Sequence, residues 1–193
     1  EICACLVGSE MCIRDRTNVN NSGQKIRTVD ITVTAAMAAL VFLGTYIFKI
    51  PTISGYVHLG DCMIILTVAL FGMKKGAVAG AIGGGLSDFI GGYFYWVVPT
   101  LLIKCMWALV MGLIMHKILK DRKGAFLIGA VSGGVLHIIA YTLVRAALYG
   151  VRTAIIEIPA LTFQTGAGIV IGFVIYMLLK KSGVAGRLSG MLG

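Results

Sequence analysis

An aspartate lies within a run of glycines and apolar residues, in the segment GGGLSDFIGGYFYW that covers residues 83–96. If this run is embedded in a membrane, Asp88 costs roughly 2.5–3.5 kcal/mol at the centre of the bilayer. A carboxylate persists there when it faces the interior of a helix bundle and has a cationic or hydrogen-bonding partner. The next apolar run supplies a complementary charge, Lys104. We consider two roles for these residues: a buried ion pair that joins two helices, and contacts to a bound polar ligand.

Further polar and aromatic side chains lie in or beside the apolar runs and carry the groups that hold a flat polar ligand. Amino, guanidinium and amide groups donate hydrogen bonds, carboxylates accept them, and aromatic rings stack on heterocycles. The candidate substrate-binding residues are Tyr56, His58, Asp61, Asp88, Trp96, Lys104, Trp107, Arg145, Glu157 and Gln164. Trp107 lies three residues after Lys104 and shares its helix face, which favours stacking on a ligand there. Aromatic residues at this level, including Tyr149, are also typical of the interfacial belt of membrane proteins.

The sequence lacks the patterns of several other kinds of chemistry. It contains no GxSxG or HExxH motif and no GxxxxGK[ST] loop for a nucleotide phosphate. Cys62 and Cys105 belong to no CxxC or zinc-type spacing. His137, in the middle of GGVLHIIAY, is in a position more usual for a helix–helix hydrogen bond than for a ligand contact. We therefore predict no catalytic residue, no metal site and no cofactor, and we do not predict an enzyme.

The composition indicates an integral membrane protein. Of the 193 residues, 58% are hydrophobic and only 13% are charged, and the mean hydropathy is +0.93, which lies outside the range of ordinary soluble domains. The formal net charge is +9, but the Lys and Arg residues occur as short clusters between apolar runs and form no continuous basic face. We therefore predict no nucleic-acid partner and interpret the clusters as topology signals.

Apolar runs separated by short charged or turn-forming breaks predict six transmembrane helices, judged against the roughly 20 residues that cross a bilayer core. The predicted spans are Ile31–Phe48, Val57–Gly72, Gly76–Phe94, Val97–Ile118, Ala125–Leu148 and Ile158–Leu179. The second and third spans are the weakest, because Asp61 opens one and glycines interrupt the other, so both need neighbouring helices or a cavity around them. The predicted fold class is an all-α membrane protein, a compact bundle of six transmembrane helices.

The basic residues alternate along the chain and predict the orientation of the bundle. Lys25 and Arg27 precede the first span, and Lys74 and Lys75 lie between the second and third. Lys117, Lys120, Arg122 and Lys123 lie between the fourth and fifth spans, and Lys180, Lys181 and Arg187 follow the sixth. By the positive-inside rule, both termini are then cytoplasmic. The polar residues of the spans gather in the outer half of the bundle, which predicts a site open to the outside.

The predicted domain organisation has one folded unit. Residues 1–16 are predicted to be a sequencing-adapter artefact, because their final segment, VGSEMCIRDR, resembles a translated adapter. A short signal sequence fits less well, since the apolar stretch is short and Glu10 follows it in place of an Ala-x-Ala-like cleavage site. Residues 17–30 are predicted to form a cytoplasmic segment, residues 31–181 the six-helix substrate-binding domain, and the glycine-rich residues 182–193 a flexible tail.

Two predicted helix faces consist of small residues. Gly76, Gly80 and Gly84 recur every four residues in the third span and allow close helix contact. In the first span, the segment TAAMAAL places Ala35 and Ala39 on a similar smooth face. The spacing leaves open whether the partner of this second face lies within the protein or is another protein.

The order and spacing of several segments resemble the S components of energy-coupling factor (ECF) transporters, which are the substrate-binding subunits of prokaryotic importers of vitamins and related micronutrients. The segments are TAAMAALVFLGTY, GYVHLGD, FGMKKGAVAGAIGGGLSDFIGGY, PTLLIK and IPALTFQTGAGIVIG, and the resemblance covers about residues 28–181. It is greatest to the subgroup of riboflavin and hydroxymethylpyrimidine or pyridoxine carriers. Where related chains often have Gly-Pro after the second span, this chain has GMKK at residues 72–75, a departure that leaves the identity of the ligand open.

The resemblance implies a six-helix subunit that captures a vitamin or vitamin precursor from outside, with the loop of residues 53–58 as the gate over the pocket. It also implies partners, namely a T component and two ATPase subunits, and Ala35 and Ala39 match the small-residue face that contacts the T component. The implied location is the plasma membrane of a prokaryote, with both termini in the cytoplasm.

The main alternative is a self-sufficient secondary transporter in which Asp88, Lys104 and His137 relay protons. Such a carrier would take up its substrate without ATPase partners and would need to dimerise to form the usual two-fold architecture. An intramembrane hydrolase is a further alternative, but His58 and Asp61 alone do not form a catalytic constellation.

Overall fold

The computed structural model describes residues 18–19, 25–26, 28–52, 55–120, 122, 124–183 and 186. The predicted artefact, residues 1–16, lies outside the described residues, as does most of the predicted flexible tail. Six α-helices run through the described part between residues 28 and 181. They are α1 (Thr28–Tyr46), α2 (Gly60–Phe71), α3 (Met73–Ile90), α4 (Phe94–Gly112), α5 (Ala125–Tyr149) and α6 (Val151–Lys181).

Short elements flank the helices. Strand β1 (Asn18–Val19) pairs with β2 (Lys25–Ile26), and β3 (Ile50–Thr52) pairs with β4 (Gly55–Val57), in both cases antiparallel. The β3–β4 hairpin connects α1 to α2. At its C-terminal end, α4 continues as a π-helical segment, Leu113–Ile118.

Among the described residues, four helices are long and apolar enough to cross a membrane: Thr28–Tyr46, Phe94–Ile118, Ala125–Tyr149 and Val151–Lys181. The second helix is apolar but shorter, with 12 residues. The glycine-rich α3 has 18 residues but is not among the helices that meet this standard of length and hydropathy. These are the same two segments that the sequence marks as weak spans.

Three differences between the observed and the predicted helix boundaries bear on the site. The second helix begins at Gly60, because Val57 belongs to strand β4. Phe94 begins α4 and does not end α3. The sixth helix begins at Val151, directly after Gly150, whose φ of +88° and ψ of 156° make the break between α5 and α6 a single residue.

The glycine face of α3 is used for packing inside the protein. A Cβ atom added to Gly84 would lie 2.6 Å from Cδ of Lys104 on α4, and one added to Gly83 would lie 2.5 Å from the carbonyl oxygen of Ala38 on α1. Because no side chain intervenes, α3 packs closely between α1 and α4. This close approach places the Lys104 stem directly against the backbone of α3.

The core and the two ends of the bundle differ in chemistry. Buried apolar side chains such as Val41, Ile65 and Val68 fill the middle. At the end where α1 and α3 begin, Lys75 Nζ pairs with Asp30 Oδ1 at 2.7 Å. The opposite end collects most of the buried polar side chains, and the β3–β4 hairpin lies there.

Candidate functional site

A small cavity of about 40 Å³ lies at the hairpin end of the bundle. It lies where α1, α3 and α5 end and where α4 and α6 begin. The side chains that line it are Thr45, Tyr56, His58, Asp88, Tyr93, Trp96, Thr100, Lys104, Tyr141, Arg145, Leu161 and Gln164. Seven of the ten predicted substrate-binding residues are in this set, so the structure brings them together from five helices or connections.

A buried polar network underlies one side of the cavity. Lys104 Nζ donates a hydrogen bond to Asp61 Oδ1 at 2.9 Å, and Gln164 Nε2 donates to Asp61 Oδ2 at 2.6 Å. Lys104 is 1% exposed and Asp61 is fully buried. The Asp61 carboxylate, in the first turn of α2, therefore joins α2 to α4 and α6, and it satisfies two side chains that line the cavity.

His58 connects the hairpin to this network. Its backbone N–H donates to Gln164 Oε1 at 3.3 Å, and its Nδ1 accepts from the N–H of Gly60 at 3.1 Å. Burial lowers the pKa of His58 to about 3, and the positive charge of Lys104 lowers it further. His58 is thus neutral at physiological pH and contributes no charge to the site.

Asp88 has a different partner from the one considered in the sequence analysis. The ion pair of Lys104 is with Asp61, so the suggested Asp88–Lys104 pair is wrong, although both side chains line the same cavity. The Tyr56 hydroxyl on β4 donates a hydrogen bond to Asp88 Oδ1. Burial and the negative charge of Asp88 raise the pKa of Tyr56, which keeps the phenol protonated as a donor.

Lys49, which is not among the predicted site residues, interacts electrostatically with Asp88. The Lys49 ammonium group is 4.5 Å from the ring centre of Tyr46, 4.4 Å from that of Tyr56 and 5.6 Å from that of Tyr93. Such distances are those of cation–π contacts. Burial lowers the pKa of Lys49, and attraction to the Asp88 carboxylate opposes this effect. The chain that leaves α1 is therefore held against the hairpin and the end of α3.

Stacked aromatic rings form another wall of the cavity. The Trp96 ring stacks on Tyr141 with centroids 5.6 Å apart and on Tyr149 at 6.1 Å. The Arg145 guanidinium lies 5.4 Å from the Trp96 ring centre, and the Tyr141 hydroxyl donates to Thr100 Oγ1 at 2.9 Å. Of these rings, Trp96 and Tyr141 line the cavity.

Arg145 is buried beside a second carboxylate. Its Nη1 lies 3.6 Å from Glu157 Oε2. Glu157 lies inside α6 and not on the predicted connection, because α6 begins earlier than expected. Among the described residues, no partner is found for the buried Nε of Arg145. This N–H is a free donor in a side chain that lines the cavity.

The structure places three predicted site residues outside the cavity lining. Asp61 and Glu157 lie behind it, each paired with a cation that does line the cavity. Trp107 is fully buried and packs on His137 with ring centroids 4.3 Å apart. His137 Nδ1 lies 3.0 Å from Thr165 Oγ1, a contact between α5 and α6.

Three of the lining residues missed by the sequence analysis follow a spacing that the sequence contains. Thr100 stands midway between Trp96 and Lys104, four residues from each, and Tyr141 stands four residues before Arg145. Side chains four apart share a helix face. Leu161 stands four residues after Glu157 on α6. Tyr93 lies on the connection between α3 and α4 and has no such signal.

A second, mainly apolar space of about 340 Å³ shares His58 and Gln164 with the cavity. Its wall includes Phe48 and Phe163, which are 56% and 73% exposed. Because Phe48 and Phe163 are exposed and more of the buried polar side chains line the smaller cavity, we place the candidate ligand site there.

Two comparisons with known proteins show what the chain is similar to. A family model described as "ECF-type riboflavin transporter, S component" matches residues 25–181. A protein of Pyrococcus woesei described as an uncharacterized protein in a gap 3′ region is 36% identical over 132 residues, which cover 68% of this chain and 87% of that protein.

Proposed function

Because the chain belongs to the family of ECF-type riboflavin transporter S components, we propose that it captures riboflavin or a similar vitamin or vitamin precursor from outside the cell. As a member of this family, the protein is a membrane protein and a transporter subunit, not an enzyme. The family model agrees with the subgroup that the sequence segments resemble. The ligand and the assembly of this particular chain are parts of the proposal.

One observation carries the proposal: a stacked aromatic wall and buried hydrogen-bonding side chains meet in one cavity. Trp96 supplies a ring face, Lys104 and Arg145 supply donors, and Asp88 supplies an acceptor. A flat heterocycle with ring nitrogens, carbonyls and hydroxyls matches such a site, since apolar walls supply affinity and a few fixed polar groups supply selectivity.

The size of the cavity implies a conformational step. Sites for drug-sized ligands have volumes of roughly 300–1,000 Å³, whereas this cavity has about 40 Å³. We infer that the structure is a closed, contracted form. The β3–β4 hairpin is the element that can open it, because Tyr56 and His58 line the cavity from the connection between α1 and α2. Ile53 and Ser54, the first two residues of the predicted gate, lie outside the described residues.

The membrane topology of the proposal has six spans with both termini in the cytoplasm. Two observations support it: six helices lie between residues 28 and 181, and the basic pairs Lys74–Lys75 and Lys180–Lys181 lie at the end opposite the cavity. The short α2 and the glycine-rich α3 are then spans covered by their neighbours. In this orientation the cavity faces the outside.

The proposed partners are a T component and two ATPase subunits. Ala35 and Ala39 are both exposed on α1, where a partner helix can approach closely. This face is separate from the cavity, so we propose that assembly and ligand binding use different surfaces of the protein.

The experiment that tests the ligand is the identification of the small molecule that co-purifies with the full chain, by mass spectrometry after denaturation. We expect riboflavin or a related heterocycle in near-stoichiometric amount. Purified protein that is folded, carries no such molecule and does not bind added riboflavin would contradict the proposal.

Lys104→Ala tests the site. We expect the affinity for riboflavin to fall by about tenfold or more, the effect of losing a hydrogen bond from a charged donor. The measurement is quenching of flavin fluorescence by protein in an uncharged detergent. Unchanged affinity in a folded variant would remove Lys104 from the site, whereas an unfolded variant would assign it to structure alone.

A further inference from the structure

The two cations that line the cavity each have a buried carboxylate behind them. Lys104 pairs with Asp61 at 2.9 Å, and Arg145 lies 3.6 Å from Glu157. Neither carboxylate is among the side chains that line the cavity, and both are at least 97% buried. These carboxylates therefore act on a bound ligand through their charge and through the position of their partners.

Asp88, which lines the cavity, and Lys49, which does not, add one charge of each sign. Asp88 accepts from Tyr56 and is attracted to the Lys49 ammonium group. His58 is neutral, because burial holds its pKa near 3. Arg152, the other cation near this end, is exposed and is not part of the lining. Apart from the exposed Arg152, the described residues around the cavity thus include three cations and three carboxylates, and two of the cations, Lys104 and Arg145, lie directly beside a carboxylate.

Such a balanced site disfavours an anionic ligand. A phosphate or carboxylate that enters a buried site loses its hydration and needs an unpaired cation to compensate for the loss. Here it would compete with Asp61 or Glu157 for a cation and would lie near the charge of Asp88. An uncharged acceptor, such as a carbonyl or ring nitrogen, can instead accept from the free Nε–H of Arg145 without disturbing its pairing.

We propose that Asp61 and Glu157 are specificity-determining residues that keep the site electrically neutral, so that it binds an uncharged heterocycle and rejects the phosphate ester of the same molecule. This inference rests on the proposed function, because it concerns the ligand of that same cavity. Beyond that function, Asp61 and Glu157 influence the ligand without lining the cavity, and the ligand itself is uncharged.

The test compares three probes on the full chain in an uncharged detergent: riboflavin, its 5′-phosphate, and its uncharged 5′-acetate ester. The acetate ester controls for size at the esterified position. Fluorescence quenching at constant ionic strength gives the three dissociation constants. We expect the phosphate to bind at least about 100-fold more weakly than riboflavin, the effect of placing like charges together. The acetate ester should stay within about tenfold of riboflavin.

Replacing a carboxylate by its uncharged amide tests whether that carboxylate causes the preference for the acetate ester over the phosphate. Glu157→Gln leaves Arg145 without its counter-charge, so the gap between phosphate and acetate affinities should narrow about tenfold, or 1.4 kcal/mol. Glu157→Asp keeps the charge and should keep the gap. The matched control is Asp30→Asn, which removes a carboxylate paired with Lys75 at the opposite end of the bundle and should leave the gap unchanged. Asp61→Asn repeats the test at Lys104 if Glu157→Gln does not fold.

The outcomes separate the two proposals. Equal binding of phosphate and acetate by the unaltered protein would overturn this inference and leave the proposed function standing. The inference is likewise overturned if Glu157→Gln keeps the full gap, or if Asp30→Asn narrows it equally. Failure of the unaltered, folded protein to bind any of the three probes would overturn the proposed function, and this inference with it.

Discussion

Replacement of Asp61 by Asn tests whether the buried network holds the helices together. The carboxylate is fully buried and accepts from Lys104 at 2.9 Å and from Gln164 at 2.6 Å. Asn keeps the shape but removes the charge, so the Lys104 ammonium remains buried without its counter-ion. Breaking a buried ion pair in this way costs about 3–5 kcal/mol. We expect the free energy of unfolding to fall by about that amount.

A matched pair at the other end of the bundle is the control. Asp30 and Lys75 form an ion pair at 2.7 Å, but their side chains are 24% and 21% exposed. A partly exposed pair is screened by solvent and contributes less than a fully buried one, so Asp30→Asn should lower the free energy of unfolding by clearly less than Asp61→Asn. The comparison isolates burial, since both changes remove one carboxylate charge.

The assay is equilibrium unfolding in mixed micelles with an increasing fraction of denaturing detergent, followed by helical circular dichroism. A second variant, Asp61→Asn combined with Lys104→Met, removes both charges and should recover most of the lost stability, because the uncompensated charge is then absent. Two results would refute the idea that the Asp61 network holds the helices together. One is a loss of unfolding free energy in Asp61→Asn no larger than in Asp30→Asn, and the other is a double variant less stable than Asp61→Asn alone.

Three further changes test other parts of the molecule. Tyr56→Phe removes the hydrogen bond to Asp88 and should raise the rate of riboflavin release about tenfold, measured by stopped-flow fluorescence. An unchanged rate would show that this hydrogen bond does not keep the β3–β4 hairpin closed over the cavity. Ala39→Trp should abolish riboflavin uptake in cells that contain the T component and ATPase subunits, and it should leave riboflavin binding intact. The control is Ala147→Trp, also at an exposed alanine, which should leave uptake and binding intact. The pKa of His58 is about 3 in the folded protein and near 6.5 in the unfolded chain, so the unfolded chain binds the proton more tightly. Acidification from pH 6.5 towards pH 3 should therefore lower the free energy of unfolding. His58→Gln should flatten this pH dependence in unfolding measurements, and a slope equal to that of the unaltered protein would contradict the assignment.

The sequence predicts the class of fold because that class follows from composition and from the lengths of the apolar runs. Helices occupy all six predicted spans, and the two runs marked as weak, those containing Asp61 and the glycine series, are the short helix and the helix of lower hydropathy. Boundaries were harder to predict. Gly150 breaks α5 from α6 within a single residue, and hydropathy averaged over a window does not resolve so short a break.

The sequence also predicts that polar residues gather at one end. The reason is general, since a charge in an apolar run must face the bundle interior, and helices that alternate in direction bring residues of similar depth together. Helical spacing further indicates that Trp96, Thr100 and Lys104 share one face of α4.

By itself, then, the sequence determines that this is a helical membrane protein and that its polar residues cluster towards one end of the bundle. Only the tertiary structure decides that Lys104 pairs with Asp61 and not with Asp88, and that Trp107 packs on His137 behind the cavity wall. The physical reason is that hydropathy and periodicity define depth and helix face, whereas the partner of a side chain depends on how each helix is rotated and how closely its neighbours approach. Here that approach depends on the bare backbone at Gly84, against which Lys104 lies.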